Sequence, residues 1–148
     1  MNSQKIRDLL FEGMVIPAIP LALHADGSFD RQHQKALLRY YIDAGAGGIA
    51  AAVHTTQFEI REYKSFFEDF LSLVSEEIDS YSKKQGRTVI KIGGICGPTS
   101  QAVHEAQLLS SKGYDAGLLS LSAFKDKTTE EIISHCREVA EHLPLFGF

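Results

Sequence analysis

Cysteine is scarce in this sequence, and residues that bind metals do not cluster. The two cysteines, Cys96 and Cys136, lie in different segments and belong to no Cys-x-x-Cys or paired-histidine pattern. A structural zinc site needs four suitable ligands at closer spacing, so neither a metal nor another cofactor is expected. We predict two free thiols, which suits a protein of a reducing compartment.

Long apolar runs and basic clusters are missing as well. The apolar stretch at residues 14–23 is broken by Pro17 and Pro20 and is shorter than the roughly 20 residues of a membrane helix. The N-terminal residues lack the apolar core of a secretory signal. The 15 Lys and Arg are scattered among 19 Asp and Glu, with a formal net charge of -4. We therefore expect a cytoplasmic protein with neither a membrane nor a nucleic-acid partner.

Glycine-rich phosphate loops and serine-hydrolase motifs do not occur either. Gly93, Gly94 and Gly97 match neither G-x-G-x-x-G nor a Walker loop, which favours a steric role for these glycines. There is no Gly-x-Ser-x-Gly elbow. Lys91 lies in a predicted strand, where a desolvated amine could form a Schiff base, but a lysine near a strand end more often extends to water. The sequence therefore favours a non-catalytic Lys91.

What the sequence does contain is a regular alternation of strand-like and helix-like segments. With 44% apolar and 23% charged residues, residues 1–148 are predicted to form a single globular domain. The predicted strands span residues 14–19, 49–53, 88–92, 116–121 and 143–148. Predicted helices occupy residues 3–12, follow a cap at Asp30, occupy residues 63–81, and follow caps at Thr99 or Ser100 and at Thr128 or Thr129.

Such an alternation predicts an α/β fold, with a parallel sheet and helices outside it. Four strand–helix units and a fifth open strand, after a short N-terminal helix, correspond to the (βα)4β portion of a parallel (β/α)8 TIM barrel. A complete barrel typically needs about 250 residues, so strands six to eight are expected to be absent from this chain. An open flavodoxin-like sheet also fits the length. However, residues 20–23 do not form the phosphate-binding glycine loop that such a sheet carries after its first strand.

The candidate site lies where the predicted strands end, because ligands of parallel α/β folds bind beyond the carboxyl ends of the strands. Of the segments at residues 21–27, 54–59, 93–99 and 122–127, the most suggestive contains His54, Thr55 and Thr56. Its hydroxyls and successive backbone N–H groups could hold a small carboxylate. The threonines could equally do no more than complete the strand end. Phe124 could line a pocket or lie in a surface loop.

The order and spacing of short segments resemble the N-terminal half of the dihydrodipicolinate synthase and N-acetylneuraminate lyase family. These proteins are class I, Schiff-base-forming (β/α)8 barrels. The matching stretches are residues 13–23, 26–30, 45–56, 88–97, 113–119 and 142–146. The resemblance implies a lyase or aldolase that acts on pyruvate or a related 2-keto acid, and we expect a homo-oligomer.

In that family a Gly-Thr-Thr-Gly-Glu segment after the second strand binds the carboxylate of the keto acid, and one threonine joins a proton relay. Thr55 and Thr56 resemble this pair, which implies catalytic and substrate-binding roles for both. The flanking residues differ, because His54 and Gln57 replace glycines and Phe58 precedes the acidic residue. An assignment of the pair to His54 and Thr55 therefore stays open, and His54 is a candidate substrate-binding residue in either case.

Two further positions depart from the family pattern. The family relays protons through tyrosines, whereas the matching positions here are Phe124, which we predict to bind substrate, and Phe148. Phenylalanine cannot carry a proton, so the resemblance does not imply dihydrodipicolinate synthesis itself. The family's Schiff-base lysine belongs to the sixth strand and is not in this chain, so the 148 residues alone are expected to be inactive.

A different class of function also fits a half barrel. A non-catalytic ligand-binding or assembly module would keep the carboxylate site and pair its exposed first and fifth strands with a partner. Unpaired strand edges favour association with another chain, so such a half barrel is expected to dimerise or to bind its missing half.

Overall fold

The computed structural model describes residues 3–56 and 58–146. The five α-helices in this part of the chain are α1 Ser3–Phe11, α2 Arg31–Asp43, α3 Lys64–Lys84, α4 Thr99–Ser111 and α5 Thr129–Ala140. The four strands are β1 Gly48–Ala51, β2 Ile90–Ile95, β3 Ala116–Leu119 and β4 Leu145–Phe146. Short 3-10 helices follow strand ends at His54–Thr56, Phe58–Glu62 and Ser122–Phe124.

The four strands form one parallel sheet in the order β1-β2-β3-β4. Each strand pairs with the next one along the chain, and α3, α4 and α5 make the connections. This arrangement matches the N-terminal half of a TIM barrel, so the predicted fold class is confirmed. The predicted last strand is observed at Leu145–Phe146, and its residues 147 and 148 lie outside the described part of the chain.

The predicted first strand, residues 14–19, is not a regular strand. It lies parallel to β1, where the Ala50 N–H donates to the Pro17 carbonyl and the Ile19 N–H to the Ala50 carbonyl, each over 3.0 Å. Toward the N-terminus of the segment, the next N–H of the ladder would have to come from residue 17, and proline has no N–H. The prediction of regular strand structure was therefore wrong, although the segment lies beside β1, where a first strand would lie.

β1 and β2 are buried along their whole length, as the continuously apolar strands predict, whereas Leu118 and Leu119 of β3 and both residues of β4 are half-buried. One face of the sheet packs against the helices, with core residues that include Phe70, Leu71 and Leu109. The other face, which corresponds to the interior of a barrel, carries a smaller cluster around Ile90 and Ile92, against which α1 packs at Ile6. Side chains along β2 alternate between the two faces, so Ile92 and its neighbour Lys91 point in opposite directions.

Two predicted helix caps are confirmed and one is wrong. The Asp30 carboxylate accepts the His33 N–H over 2.9 Å at the start of α2, and Thr128 forms a capping box with Glu131 at the start of α5. Helix α4 instead begins after Pro98, without a side-chain cap. Thr99 is already the first residue of this helix, and its hydroxyl lies 2.9 Å from the His135 Nδ1 of α5.

None of the helices in the described residues is both long enough and apolar enough to cross a membrane. Cys96 and Cys136 are free thiols, both half-buried.

Candidate functional site

A cavity of about 710 Å³ lies on the barrel-interior face of the sheet and extends to the carboxyl ends of its strands. Its walls are mostly apolar, with side chains that include Ile16, Ile92, Leu118 and Phe146. Among the described residues, the polar side chains in its lining are His54, Thr55 and Ser120. An apolar cavity with a few convergent polar groups is the usual form of a small-molecule site.

A sharp turn after β1 brings His54 and Thr55 to this cavity. Ala52, the residue that follows β1, has a φ of 58°, in the left-handed region that residues with a side chain rarely adopt. The chain then enters the 3-10 helix His54–Thr56, where the Thr56 N–H donates to the Val53 carbonyl over 2.9 Å. The turn therefore depends on an unfavourable backbone conformation that its surroundings must stabilise.

The two threonines have different environments. Thr55 is exposed and lines the cavity, with its Oγ1 3.4 Å from the His54 Nδ1. Thr56 is fully buried, and its hydroxyl donates to the Ile19 carbonyl over 2.7 Å. The structure thus brings His54 and Thr55 together at the cavity, whereas Thr56 ties the turn to residues 14–19. A role of Thr56 in binding or catalysis stays a prediction.

Phe124 lies in the 3-10 helix that follows β3, away from the cavity lining. Its ring stacks on that of His135, with ring centroids 4.0 Å apart and an interplanar angle of 27°. Ser120 is the residue after β3 that reaches the cavity. Binding of substrate by Phe124 stays a prediction.

His135 should make the stability of the protein depend on pH. Its ring is buried, Nδ1 lies 2.9 Å from the Thr99 hydroxyl, and Nε2 has no hydrogen-bond partner among the described residues. Burial lowers the pKa of His135, against a smaller opposing effect of Glu138. Just below about pH 6.5 the histidine is therefore protonated in the unfolded chain but still neutral in the folded protein. Lowering the pH through this range favours the unfolded chain, so the stability of the protein falls.

We expect His135→Gln, which keeps a group able to bond Thr99, to reduce the loss of stability on acidification through the histidine range, about pH 7 to 5. The measurement is the free energy of unfolding by denaturant at several pH values. His24 and His33, which contact Asp30, are present in both proteins and cancel in the comparison. An identical pH dependence in the two proteins would show that His135 is not the responsible group.

Lys91 is buried on the helix side of β2, which corrects the expectation that it extends to water. Its Nζ donates to the Ser75 hydroxyl over 3.0 Å and lies 2.7 Å from both carboxylate oxygens of Asp79. Asp79 belongs to α3, so the amine faces away from the cavity. The ion pair connects the sheet with α3 and leaves Lys91 far from a position where it could attack a ligand of the cavity.

Arg61, which lies in the 3-10 helix Phe58–Glu62, makes buried contacts beside the site that its place in the sequence does not predict. Its Nε donates to the Glu105 carboxylate over 3.0 Å, and Nη2 donates to the carbonyls of Ala52 over 2.9 Å and Gly94 over 3.0 Å. Both side chains of the ion pair are almost fully buried, 9% and 5% exposed. Their separation of 44 residues in the chain leaves no local pattern that could have revealed the pair.

The described residues include no group of three or more histidine, cysteine or acidic side chains arranged to hold a metal ion.

Comparison with known proteins assigns the chain to a family. The model of the dihydrodipicolinate synthetase family matches residues 11–145. A 4-hydroxy-tetrahydrodipicolinate synthase of Sulfurihydrogenibium is 28% identical over 138 residues, which cover 92% of this chain and 44% of that protein. The chain thus spans less than half the length of such relatives.

Solved structures agree with this fold. The dihydrodipicolinate synthase of Cyanidioschyzon merolae with lysine bound has a TM-score of 0.79 at 20% identity, covering 93% of this chain and 45% of that one. The chloride-inhibited enzyme of Acinetobacter baumannii, complexed with pyruvate, has a TM-score of 0.73 at 24% identity, with coverages of 90% and 44%. By the match of the family model to nearly its whole length, the chain belongs to the dihydrodipicolinate synthetase family.

Proposed function

We propose that the protein to which this chain contributes is a Schiff-base-forming lyase or aldolase that acts on pyruvate or a related 2-keto acid. The observation that carries the proposal is the exposed Thr55 beside His54, at an apolar cavity beyond the carboxyl ends of parallel strands. Family membership and the pyruvate bound by the relative from Acinetobacter baumannii support it. A cytoplasmic location and a homo-oligomeric state stay predictions.

His54 and Thr55 would bind the carboxylate of the keto acid. The threonine hydroxyl donates a hydrogen bond to a carboxylate oxygen, and so does a ring N–H of histidine. The ketone carbon of the substrate would then face a lysine amine. Amine and ketone condense with loss of water, and the protonated imine withdraws electrons from the neighbouring carbon–carbon bond.

We propose that this lysine lies outside the 148 residues. Lys91 is held by Asp79 and Ser75 on the opposite face of the sheet, which argues against its use as the nucleophile. The chain by itself should therefore be unable to form the covalent adduct. Phe124, at a position where the family carries a relay tyrosine, favours a proton relay that differs from that of dihydrodipicolinate synthesis.

The test is borohydride trapping with pyruvate, on the full-length protein and on the 148-residue chain. We expect reduction to leave a stable adduct on a lysine of the full-length protein outside these residues, and no adduct on the isolated chain. Peptide mapping by mass spectrometry locates the modified residue. An adduct on Lys91 would overturn the claim that the chain alone is inactive, and the absence of any adduct would overturn the Schiff-base function.

A second candidate, a ligand-binding or assembly module without catalysis, is favoured by one observation. The apolar face around Ile92, Leu118 and Phe146 is open to the cavity and offers a surface on which another chain segment could pack. The same experiment separates the two candidates, because saturable pyruvate binding by the full-length protein without a trapped adduct would support the module.

A further inference from the structure

We propose that Arg61 is a positioning residue of the candidate keto-acid site: its guanidinium holds the turn that presents His54 and Thr55 to the cavity. This inference rests on the proposed function and extends it to a residue outside the Thr-Thr segment. Arg61 is not in the lining of the cavity, so it would act on the ligand through the backbone and through Phe58.

Arg61 joins the ends of two neighbouring strands. A single nitrogen, Nη2, donates to the Ala52 carbonyl at the end of β1 and to the Gly94 carbonyl in β2. Ala52 is the residue with the positive φ, two positions before His54. A charge-assisted hydrogen bond to the Ala52 carbonyl stabilises that unfavourable conformation and so fixes the direction in which the chain enters the His54–Thr56 turn.

Arg61 also contacts an aromatic side chain of the cavity. The centre of its guanidinium lies 5.4 Å from the ring centroid of Phe58, which lines the cavity, and 4.8 Å from that of Phe67, which is buried in the core. The flat guanidinium therefore connects a loop residue of the site to a fixed core residue. Stacking of this kind is available to arginine and not to the compact ammonium group of lysine.

The ion pair with Glu105 fixes the guanidinium in turn. One Glu105 oxygen accepts from Arg61 and from the Gln101 side chain, and the other accepts the Cys96 N–H over 3.2 Å. Glu105 belongs to α4, so the network connects α4 with the ends of β1 and β2. The Arg61 Nη1 is buried and has no hydrogen-bond partner among the described residues.

The buried contacts of Arg61 differ from those that stability alone would favour. Well-packed apolar residues often replace a buried ion pair with no loss of stability, and a buried donor without a partner adds a further cost. Arg61 instead binds the Ala52 carbonyl at the start of the turn and the Gly94 carbonyl in β2 while it pairs with Glu105, and a planar group with donors in several directions suits this combination. The contacts of Arg61 are thus better explained by orientation of the site than by stability.

The test compares Arg61→Lys and Arg61→Met with the wild type in the full-length protein. We expect the pyruvate concentration at half-maximal borohydride trapping to rise about tenfold or more, because misplacement of a binding group weakens ligand binding while the proposed lysine outside these residues is unchanged. The limiting rate of trapping should change much less. The second measurement, made without pyruvate, is the amide resonance of Thr55 in labelled protein, which we expect to shift in Arg61→Lys.

Arg39→Lys and Arg39→Met are the matched controls. Arg39 donates to the buried Glu77 over 2.7 Å and lies 5.4 Å from the Tyr81 ring centroid, so it makes an ion pair and a cation–π contact between α2 and α3, away from the cavity, with a side chain that is 48% exposed. These variants should lose stability without changing the half-saturating pyruvate concentration or the Thr55 resonance. An equal effect of the Arg39 and Arg61 substitutions would overturn the positioning role.

A folded Arg61→Lys variant with wild-type pyruvate dependence and an unchanged Thr55 resonance would also overturn it. If neither Arg61 variant folds, Glu105→Gln supplies the test, since it keeps Arg61 and removes only the charge that orients it. The pyruvate concentration at half-maximal trapping should rise in Glu105→Gln, and an unchanged concentration would contradict the proposal. If the wild type is never trapped, the proposed function fails, and the Thr55 resonance alone decides the role of Arg61.

Discussion

Replacement of Gly94 by alanine is expected to destabilise the protein by about 3 kcal/mol, the upper end of the usual cost of overpacking. A Cβ at this position would lie 2.3 Å from the Ala52 carbonyl oxygen and 2.7 Å from the carbonyl carbon. These atoms belong to the backbone of the neighbouring strand end, so no rotation of a side chain can relieve the contact. The Ala52–Val53 peptide group would have to move.

The same movement should impair ligand binding. Arg61 donates to the carbonyls of both Ala52 and Gly94, so displacement of one breaks the geometry of the pair. We therefore expect Gly94→Ala to weaken pyruvate trapping even under conditions where the protein remains folded. The measurements are the free energy of unfolding by denaturant and the concentration dependence of borohydride trapping.

The neighbouring glycine gives a matched comparison. A Cβ at Gly93 would lie 2.3 Å from a methyl carbon of Leu109, on the helix side of β2. That clash involves the end of a side chain, so a smaller residue at position 109 should relieve it. We expect Leu109→Ala to offset part of the cost of Gly93→Ala and to leave the cost of Gly94→Ala unchanged. Equal rescue at both positions would show that the Gly94 contact is not a backbone clash.

Phe70→Ala should have the largest effect on stability in the helix-side core, about 3–5 kcal/mol. The Phe70 side chain, on α3, is fully buried in the helix-side core, and its ring meets that of Phe29 edge to face with centroids 5.9 Å apart. Truncation removes apolar contact area and leaves a cavity that the packed surroundings can fill only in part.

Phe11→Ala is the control for Phe70→Ala, since Phe11 lies at the end of α1 and is 85% exposed. The same loss of a phenyl group should there change the free energy of unfolding by roughly 0.5 kcal/mol or less. Denaturant unfolding of both variants checks the pair. Similar destabilisation at the two positions would mean that the described burial of Phe70 does not contribute to stability in the folded protein.

The sequence was sufficient to predict most of the fold because local patterns carried the information. Continuous short apolar segments predicted strands buried on both faces, and apolar spacing of three and four predicted the helices between them. Asp30 and Thr128 were predicted as caps from their own side-chain chemistry and the residues that follow them. The error at residues 14–19 has an equally local cause, since Pro17 removes a donor from the ladder.

The site was predictable only in outline. The sequence by itself determined that polar residues follow β1, and the rule that ligands bind beyond parallel strands pointed to His54, Thr55 and Thr56. Only the tertiary structure decided that Thr55 faces the cavity while the Thr56 hydroxyl is bound to the Ile19 carbonyl. The direction of each side chain depends on the positive φ at Ala52, which no property of alanine indicates.

Arg61 and Lys91 show the same distinction, for charged residues, between what the sequence determines and what the tertiary structure determines. Their residue types were plain in the sequence, but whether each basic side chain is solvated or buried against an acidic partner depends on which residues lie opposite. Glu105 is 44 residues from Arg61, and Asp79 contacts Lys91 across the boundary between α3 and β2. The sequence thus determined the α/β alternation and the place of the candidate site. The packing of distant segments decided which side chains are available there, because burial and pairing of charges are properties of the folded chain.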